Sequence, residues 1–271
     1  MIPIWLEIHL DGEGLSSLIP GRARRRWDML AAALDDTARR AERHGARLTI
    51  RSRARFAALD RAGLLRDLVA RGHEVGWHAH GDALRAARDA VVAAGGDARY
   101  ATPGLVQAKD RAKLLVETRA LGAEVVTDRV EAPVRAYQGW LAWEPVPGLV
   151  SLDVSVSPFD WGVLAREGRK VTPGLLDTLM LTRRIAAREQ LPVPTGAVGF
   201  FGATCHDHDL LDVGARAGLE RVFARWGRRI VPAGEVGRAA RVAFDAGGAL
   251  RGGAPPRPRL AVTHAARAAG A

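Results

Sequence analysis

The chain alternates short apolar runs with longer amphipathic ones. Residues 2–10 carry Ile2, Ile4, Trp5, Leu6 and Ile8. They predict a buried strand that runs into His9, Asp11, Gly12, Glu13 and Gly14, a polar loop at its C-terminal end. Residues 24–44 place Trp27, Leu30, Leu34 and Ala38 on one helical face, and Gly45 ends the helix. A second strand is predicted over 47–51, a helix over 56–70 that continues through Gly63, and a brief strand over 73–78 that ends in Ala79, His80, Gly81 and Asp82. Helices over 83–94 and 109–121, a strand-end loop over 101–104 and a strand over 124–127 continue the pattern. A strand–loop–helix unit recurs about every 25–30 residues, which is the mark of a parallel sheet or barrel.

The stretch 130–170 breaks that rhythm. It holds Pro133, Pro145, Pro147 and Pro158 with aromatics from Tyr137 to Trp161, and predicts an irregular cleft-lining segment with one strand over 149–156. A helix over 174–188 and a strand over 197–201 follow. That strand leads into Cys205, His206, Asp207, His208 and Asp209. A helix over 213–226, a short strand over 230–232 and a helix over 235–244 close the pattern. From 247 onward Gly, Ala, Pro and Arg dominate, which predicts a disordered tail over 247–271 behind a single domain over 1–246. The expected fold is α/β, a distorted (β/α) barrel of about seven strands.

Composition narrows the function classes. With 271 residues and 48% hydrophobic content, one α/β or barrel domain can bury a full core. A single cysteine excludes a disulfide framework and a cysteine-cluster metal site. The net charge of +10 is carried mainly by arginine. The clusters at 22–26 and 51–55 lack interleaved aromatics, so nucleic acid is not the expected ligand. No run of 18 apolar residues predicts a membrane span. The opening residues lack a basic n-region, which sets the expectation of a cytoplasmic protein without a signal peptide. Nothing in the pattern selects an oligomeric state.

The histidines carry the chemistry. His44 falls at a helix end and His264 in the tail, whereas His9, His73, His78, His80, His206 and His208 all fall near strand ends. In a parallel α/β protein the C-terminal strand ends form one rim, so side chains from three distant segments can converge there. Imidazole and carboxylate together suit Zn²⁺ and its transition-metal neighbours. Cys205 beside His206 invites a nucleophile reading, but adjacent strand residues point to opposite faces, which favours a small core cysteine. Trp77, Trp140, Trp143 and Trp161 are either sugar-stacking platforms or core.

The run Gly72-His73-Glu74-Val75-Gly76-Trp77-His78 resembles a motif of the NodB-like polysaccharide deacetylases, carbohydrate esterase family 4. Asp11-Gly12-Glu13 is similar to that family's first motif, and His206 with His208 and Asp209 to its last. The resemblance covers about 1–128 and 195–245 and implies a metal-dependent amide hydrolase that N-deacetylates an amino sugar or small glycoside. One divalent ion is implied, Zn²⁺ first, with Co²⁺, Mn²⁺, Fe²⁺ or Ni²⁺ as other candidates. Asp11 and His78 are the implied ligands, joined by Asp82 by position or His80 by chemistry. His206 matches the general acid. Glu13, Pro103, Trp77, Trp161 and His208 are candidate substrate contacts, and His73 a packing residue.

Three positions depart from the family pattern. His9 stands where the family has its base aspartate, Ala101 where it has an arginine that orients that base, and Asp82 where it has its second histidine. His9 is therefore the candidate base, since imidazole titrates near neutrality. The departures also admit a non-catalytic deacetylase-like protein that binds a glycan or metal, or a hydrolase of a non-sugar amide.

Overall fold

A computed structural model of the chain describes residues 1–11, 20–80, 83–104, 109–128, 139–155, 173–207 and 209–247. Glu13, Asp82, Trp161, His208 and the tail from 248 lie outside the described residues. Within them, β1 spans Ile4–Leu10, β2 Thr49–Ser52, β3 Glu74–His78 and β4 Tyr100–Thr102. β5 spans Val125–Asp128, β6 Trp143–Val146, β7 Leu149–Asp153 and β8 Phe201–His206. The helices are α1 Pro20–Arg43, α2 Ala54–Leu59, α3 Leu64–Ala70, α4 Leu84–Ala93, α5 Arg111–Ala120, α6 Pro173–Glu189, α7 Val213–Trp226 and α8 Ala233–Asp245.

The strands form one sheet in the order β6-β7-β5-β4-β3-β2-β1-β8. β6 runs antiparallel to β7, and every other neighbouring pair is parallel. The sheet curls until its two ends meet through isolated contacts rather than a ladder. Leu141 bridges Gly199, the Ser155 N–H donates to the Gly202 carbonyl at 2.9 Å, and the Phe200 N–H donates to the Trp140 carbonyl at 2.9 Å. The architecture is an open, barrel-like mixed sheet of eight strands, not a closed ring of seven.

Strand alternation sorts the side chains. On β1, Ile4, Leu6, Ile8 and Leu10 join the core shared with Trp27, Leu30, Leu34 and Ala38 of α1. Burial of each such leucine or isoleucine side chain contributes roughly 1.5–3 kcal/mol. Trp5, Glu7 and His9 alternate with them and point the other way, into the barrel. The early strand residues Trp5, Tyr100, Val125 and Val150 pack with Ala233, Val236, Ala240 and Phe244, so α8 closes the N-terminal mouth. The first backbone N–H groups of α8 are met inside the barrel: Ala233 donates to Thr49 Oγ1 at 2.8 Å and Gly234 to Glu74 Oε2 at 2.7 Å. The C-terminal mouth is left for chemistry.

Four elements differ from the sequence pattern. The helix predicted over 56–70 is two helices, because Gly63 adopts φ +75° and the Asp60 carboxylate accepts from the Leu64 and Leu65 N–H groups. The segment 130–170 contributes a hairpin, β6 and β7, where one strand was expected. The strand expected over 197–201 begins only at Phe201, since Ala197, Val198 and Phe200 pack in the inner cluster at the seam. The strand expected at 230–232 is a single bridge, Ile4 to Ile230.

Two outcomes follow for stability. A Cβ at Gly202 would lie 2.0 Å from Trp5 Cζ2, in a fully buried indole, so Gly202→Ala should lower the urea midpoint by the equivalent of about 1–3 kcal/mol. An unchanged midpoint would refute that packing. His73 accepts from the Leu48 N–H at 2.9 Å and meets Glu42 at 2.7 Å. Burial, with help from the Arg71 and Arg47 charges, holds its pKa below the usual value against the pull of Glu42. Its folded state therefore binds the proton less readily than its unfolded state. Stability should rise with pH through the window just below about 6.5, and His73→Asn should flatten that rise in urea titrations.

Candidate metal centre

Asp11 follows β1, His78 ends β3, His80 lies two residues beyond it, and His206 ends β8. His9 and His206 are direct register partners across β1 and β8. The parallel sheet thus delivers Asp11 and four imidazoles to the C-terminal mouth, with Asp128 ending β5 and Asp153 ending β7 at the same strand ends. Among the described residues, two groups could each hold a cation, Asp11 with His78 and His80, and Asp11 with His9 and His206.

The Asp11–His78–His80 group has the character of a ligand set. His78 Nδ1 lies 2.8 Å from the Thr102 carbonyl oxygen. A carbonyl only accepts, so Nδ1 carries the hydrogen and the neutral ring turns its Nε2 lone pair into the site. Burial holds the His78 pKa below the usual value despite the pull of Asp11, and the His9 and His80 charges push the same way. That lone pair faces Asp11 Oδ1 at 2.6 Å and His80 Nε2 at 3.1 Å. Asp11 Oδ1 and His80 Nδ1 are buried atoms without a hydrogen-bond partner among the described residues. Two acceptors as close as Asp11 Oδ1 and His78 Nε2 repel unless a proton or cation lies between them. Ligands held 2.0–2.1 Å from one ion lie about 2.9–3.4 Å apart at octahedral or tetrahedral angles, and the observed edges of 2.6, 3.1 and 3.7 Å bracket that span. The residues fit a divalent ion.

Asp11 is a buried anion ringed by bases. Burial would raise its carboxyl, but the imidazoles of His206, His78 and His80 around it hold it far below the carboxylate range. Its second oxygen, Oδ2, lies 3.3 Å from His206 Nε2. The backbone N–H of His206 donates to Asp209 Oδ2 at 2.9 Å.

Behind the rim stands a group that the sequence pattern did not single out. Glu7 is fully buried, and its Oε1 meets His9 Nε2 in a short hydrogen bond and accepts from Thr102 Oγ1 at 2.9 Å. Arg51, also fully buried, places Nε 3.7 Å from Glu7 Oε2 and Nη2 2.7 Å from Glu74 Oε1. Burial would raise the Glu7 carboxyl, but the His9 and Arg51 charges and hydrogen bonds from His9 and Thr127 hold it low. Burial would likewise lower His9, but the Glu7 charge and hydrogen bond, with Asp11 and Asp128, raise it. An arginine and a carboxylate therefore do stand behind the candidate base. They come from β2 and β1 rather than from position 101, where Ala101 faces the helix-side core.

The other candidates are placed as follows. Pro103 is buried next to Gly104, whose φ of +72° and missing Cβ let the chain pass within contact of His80. Trp77 is not brought to the mouth. It has no exposure, lies in the helix-side core, and donates its indole N–H to the Ala98 carbonyl at 2.9 Å. Cys205 also lies in that core, with its thiol pKa raised by burial and by the Asp209, Glu7 and Asp207 charges, which suits a core residue rather than a nucleophile.

No protein-family model matches the chain, and no curated protein sequence does. Among solved structures, the chain is similar in fold to a 4-alpha-glucanotransferase from Thermococcus litoralis, with a TM-score of 0.50 and 12% identity over 86% of this chain. The match spans 39% of that longer protein. At this identity the likeness concerns the fold alone. No helix among the described residues is long and apolar enough to cross a membrane.

A bound ion should stabilise the fold by linkage. At 100-fold excess over Kd the gain is about 2.7 kcal/mol, and a domain of this size should melt roughly 5–10 °C higher. Scanning fluorimetry with added Zn²⁺ should show that rise in the wild type and in His73→Asn, and lose it in Asp11→Ala and His78→Ala. A shift that survives Asp11→Ala would remove Asp11 from the ligand set.

Proposed function

We propose that the protein is a metal-dependent hydrolase that cleaves the amide of an N-acyl amino sugar or small glycoside, in the manner of the NodB-like deacetylases its motifs resemble. The observation that carries the reading is the cluster of converging ligand atoms, Asp11 Oδ1, His78 Nε2 and His80 Nε2, at the open mouth of the barrel. In this reading those three residues hold the ion, with Asp82 the further candidate from the same loop, and Zn²⁺ is the first choice. When bound, the ion supplies Lewis acidity toward a carbonyl and acidifies water.

The chain's own groups handle the protons. Glu7, held as a carboxylate, only accepts, so it fixes the hydrogen of neutral His9 on Nε2 and leaves the Nδ1 lone pair as the base. His206, across the β1–β8 ladder, is placed to return a proton to the leaving amine. Glu13, Pro103, Trp161 and His208 are kept as candidate substrate contacts, and Trp77 is left out. A soluble cytoplasmic substrate is part of the proposal. A second reading, a deacetylase-like protein that binds a metal or glycan without turnover, is favoured by an imidazole standing where the family has its base carboxylate.

The test uses tag-free protein loaded with Zn²⁺ and assayed for acyl release from N-acyl amino sugars and small amides. His9→Ala should keep the ion and lose about 10²–10⁴ in turnover. Asp11→Ala and His78→Ala should lose both. A protein that retains no metal on dialysis would sink the metal reading. A loaded protein that releases no acyl group from any of these substrates would favour the binding reading.

A further inference from the structure

Asp11 presents its two oxygens to two different sets of histidines. Oδ1 serves His78 and His80, while Oδ2 lies 3.3 Å from His206 Nε2. His9 completes the second set, with a donor atom within 4.8 Å of the Asp11 and His206 donors and its ring perpendicular to that of His206, centroids 5.4 Å apart. The two sets share only Asp11. His9 and His206 are each 13% exposed at the side chain, so the second set can be reached from the mouth.

We propose that Asp11 Oδ2, His206 Nε2 and His9 form a second, weaker divalent-cation position whose filling silences the site. The support residue is already in place. Metal-binding histidines nearly always donate their other ring N–H to a carboxylate or carbonyl, and Glu7 takes that role for His9 as the Thr102 carbonyl does for His78. A carboxylate that bridges two ions is a common arrangement in two-metal hydrolases. Repulsion between two dications that share one carboxylate makes the second ion the weaker one. Once His9 and His206 give their lone pairs to an ion, neither can take up or hand over a proton. Metal should therefore activate at one equivalent and inhibit in excess. The stoichiometry stands without the hydrolase reading, and only the inhibition rests on it.

The experiment is calorimetric titration of chelator-stripped, tag-free protein with Zn²⁺ alone, followed by an acyl-release assay at the same ratios. Two binding events are expected. His206→Ala should remove only the weaker event, and Glu7→Gln should weaken it by about 10- to 100-fold and leave the tighter one unchanged. His206 stands at the rim, so its variant serves should the buried Glu7 variant fail to fold. Turnover should rise through the first equivalent and fall through the second. A single event unchanged in His206→Ala would overturn the second position, and so would a tighter event that weakens in that variant. Two events with no hydrolysis at any ratio would support the second position while removing the hydrolase reading. No event at all would overturn both positions.

Discussion

A guanidinium that cannot reach water must be met by acceptors or it will not stay buried. Arg51 is such a group, fully enclosed inside the sheet with Glu74 on one side and Glu7 on the other. Each neighbour has a second duty. Glu74 accepts the Gly234 N–H at the start of α8, and Glu7 holds His9. One line of contacts therefore runs from the helix that closes the lower mouth to the imidazole at the upper one. Loss of a single partner from a buried ion pair typically costs about 3–5 kcal/mol, because the remaining charge is stranded. The barrel interior is thus committed to this line, and the rim chemistry is built on its upper end.

The sequence carried the rim more clearly than its support. Histidines and acids at strand ends are visible because a parallel sheet puts all such ends at one mouth, and Asp11, His78, His80 and His206 do meet there. Glu7 was hidden because a single acid inside an apolar strand looks like an ordinary polar position of an alternating pattern. Its meaning depends on Arg51, 44 residues later and beyond the whole of α1, yet on the adjacent strand. Arg51 in turn stood out only as part of the arginine cluster at 51–55, since its burial depends on acids from β1 and β3 at once. His80 has the same character: it packs against Gly104, where a Cβ would lie 2.6 Å from its Nδ1, a contact 24 residues away that spacing does not encode.

The fold was legible where periodicity was strong and lost where proline-rich chain or a single glycine decided the outcome. The α7 boundaries match the apolar spacing of 213–226, and α1 buries the stripe that its pattern predicts. The β6–β7 hairpin did not declare itself, because Pro145 and Pro147 sit in and beside a short edge strand where they forfeit few ladder bonds. The two-helix break at Gly63 turned on a left-handed φ, which apolar spacing does not encode.

The seam of the sheet divides the site mechanically. Among the described residues, β8 is held along one edge by the β1 ladder and along the other by isolated bonds to Ser155, with Phe200 just before it bonded to Trp140. Segments closed by few backbone bonds open first and cost least to open. Breathing along that seam would carry His206 with it, whereas β1, which leads to Asp11, and β3, which carries His78, each pair with a strand on both sides. The cluster is therefore a fixed jaw and a hinged one. Solvent and ligand exchange at the mouth should follow the rhythm of β8, not that of the strands that hold Asp11 and His78.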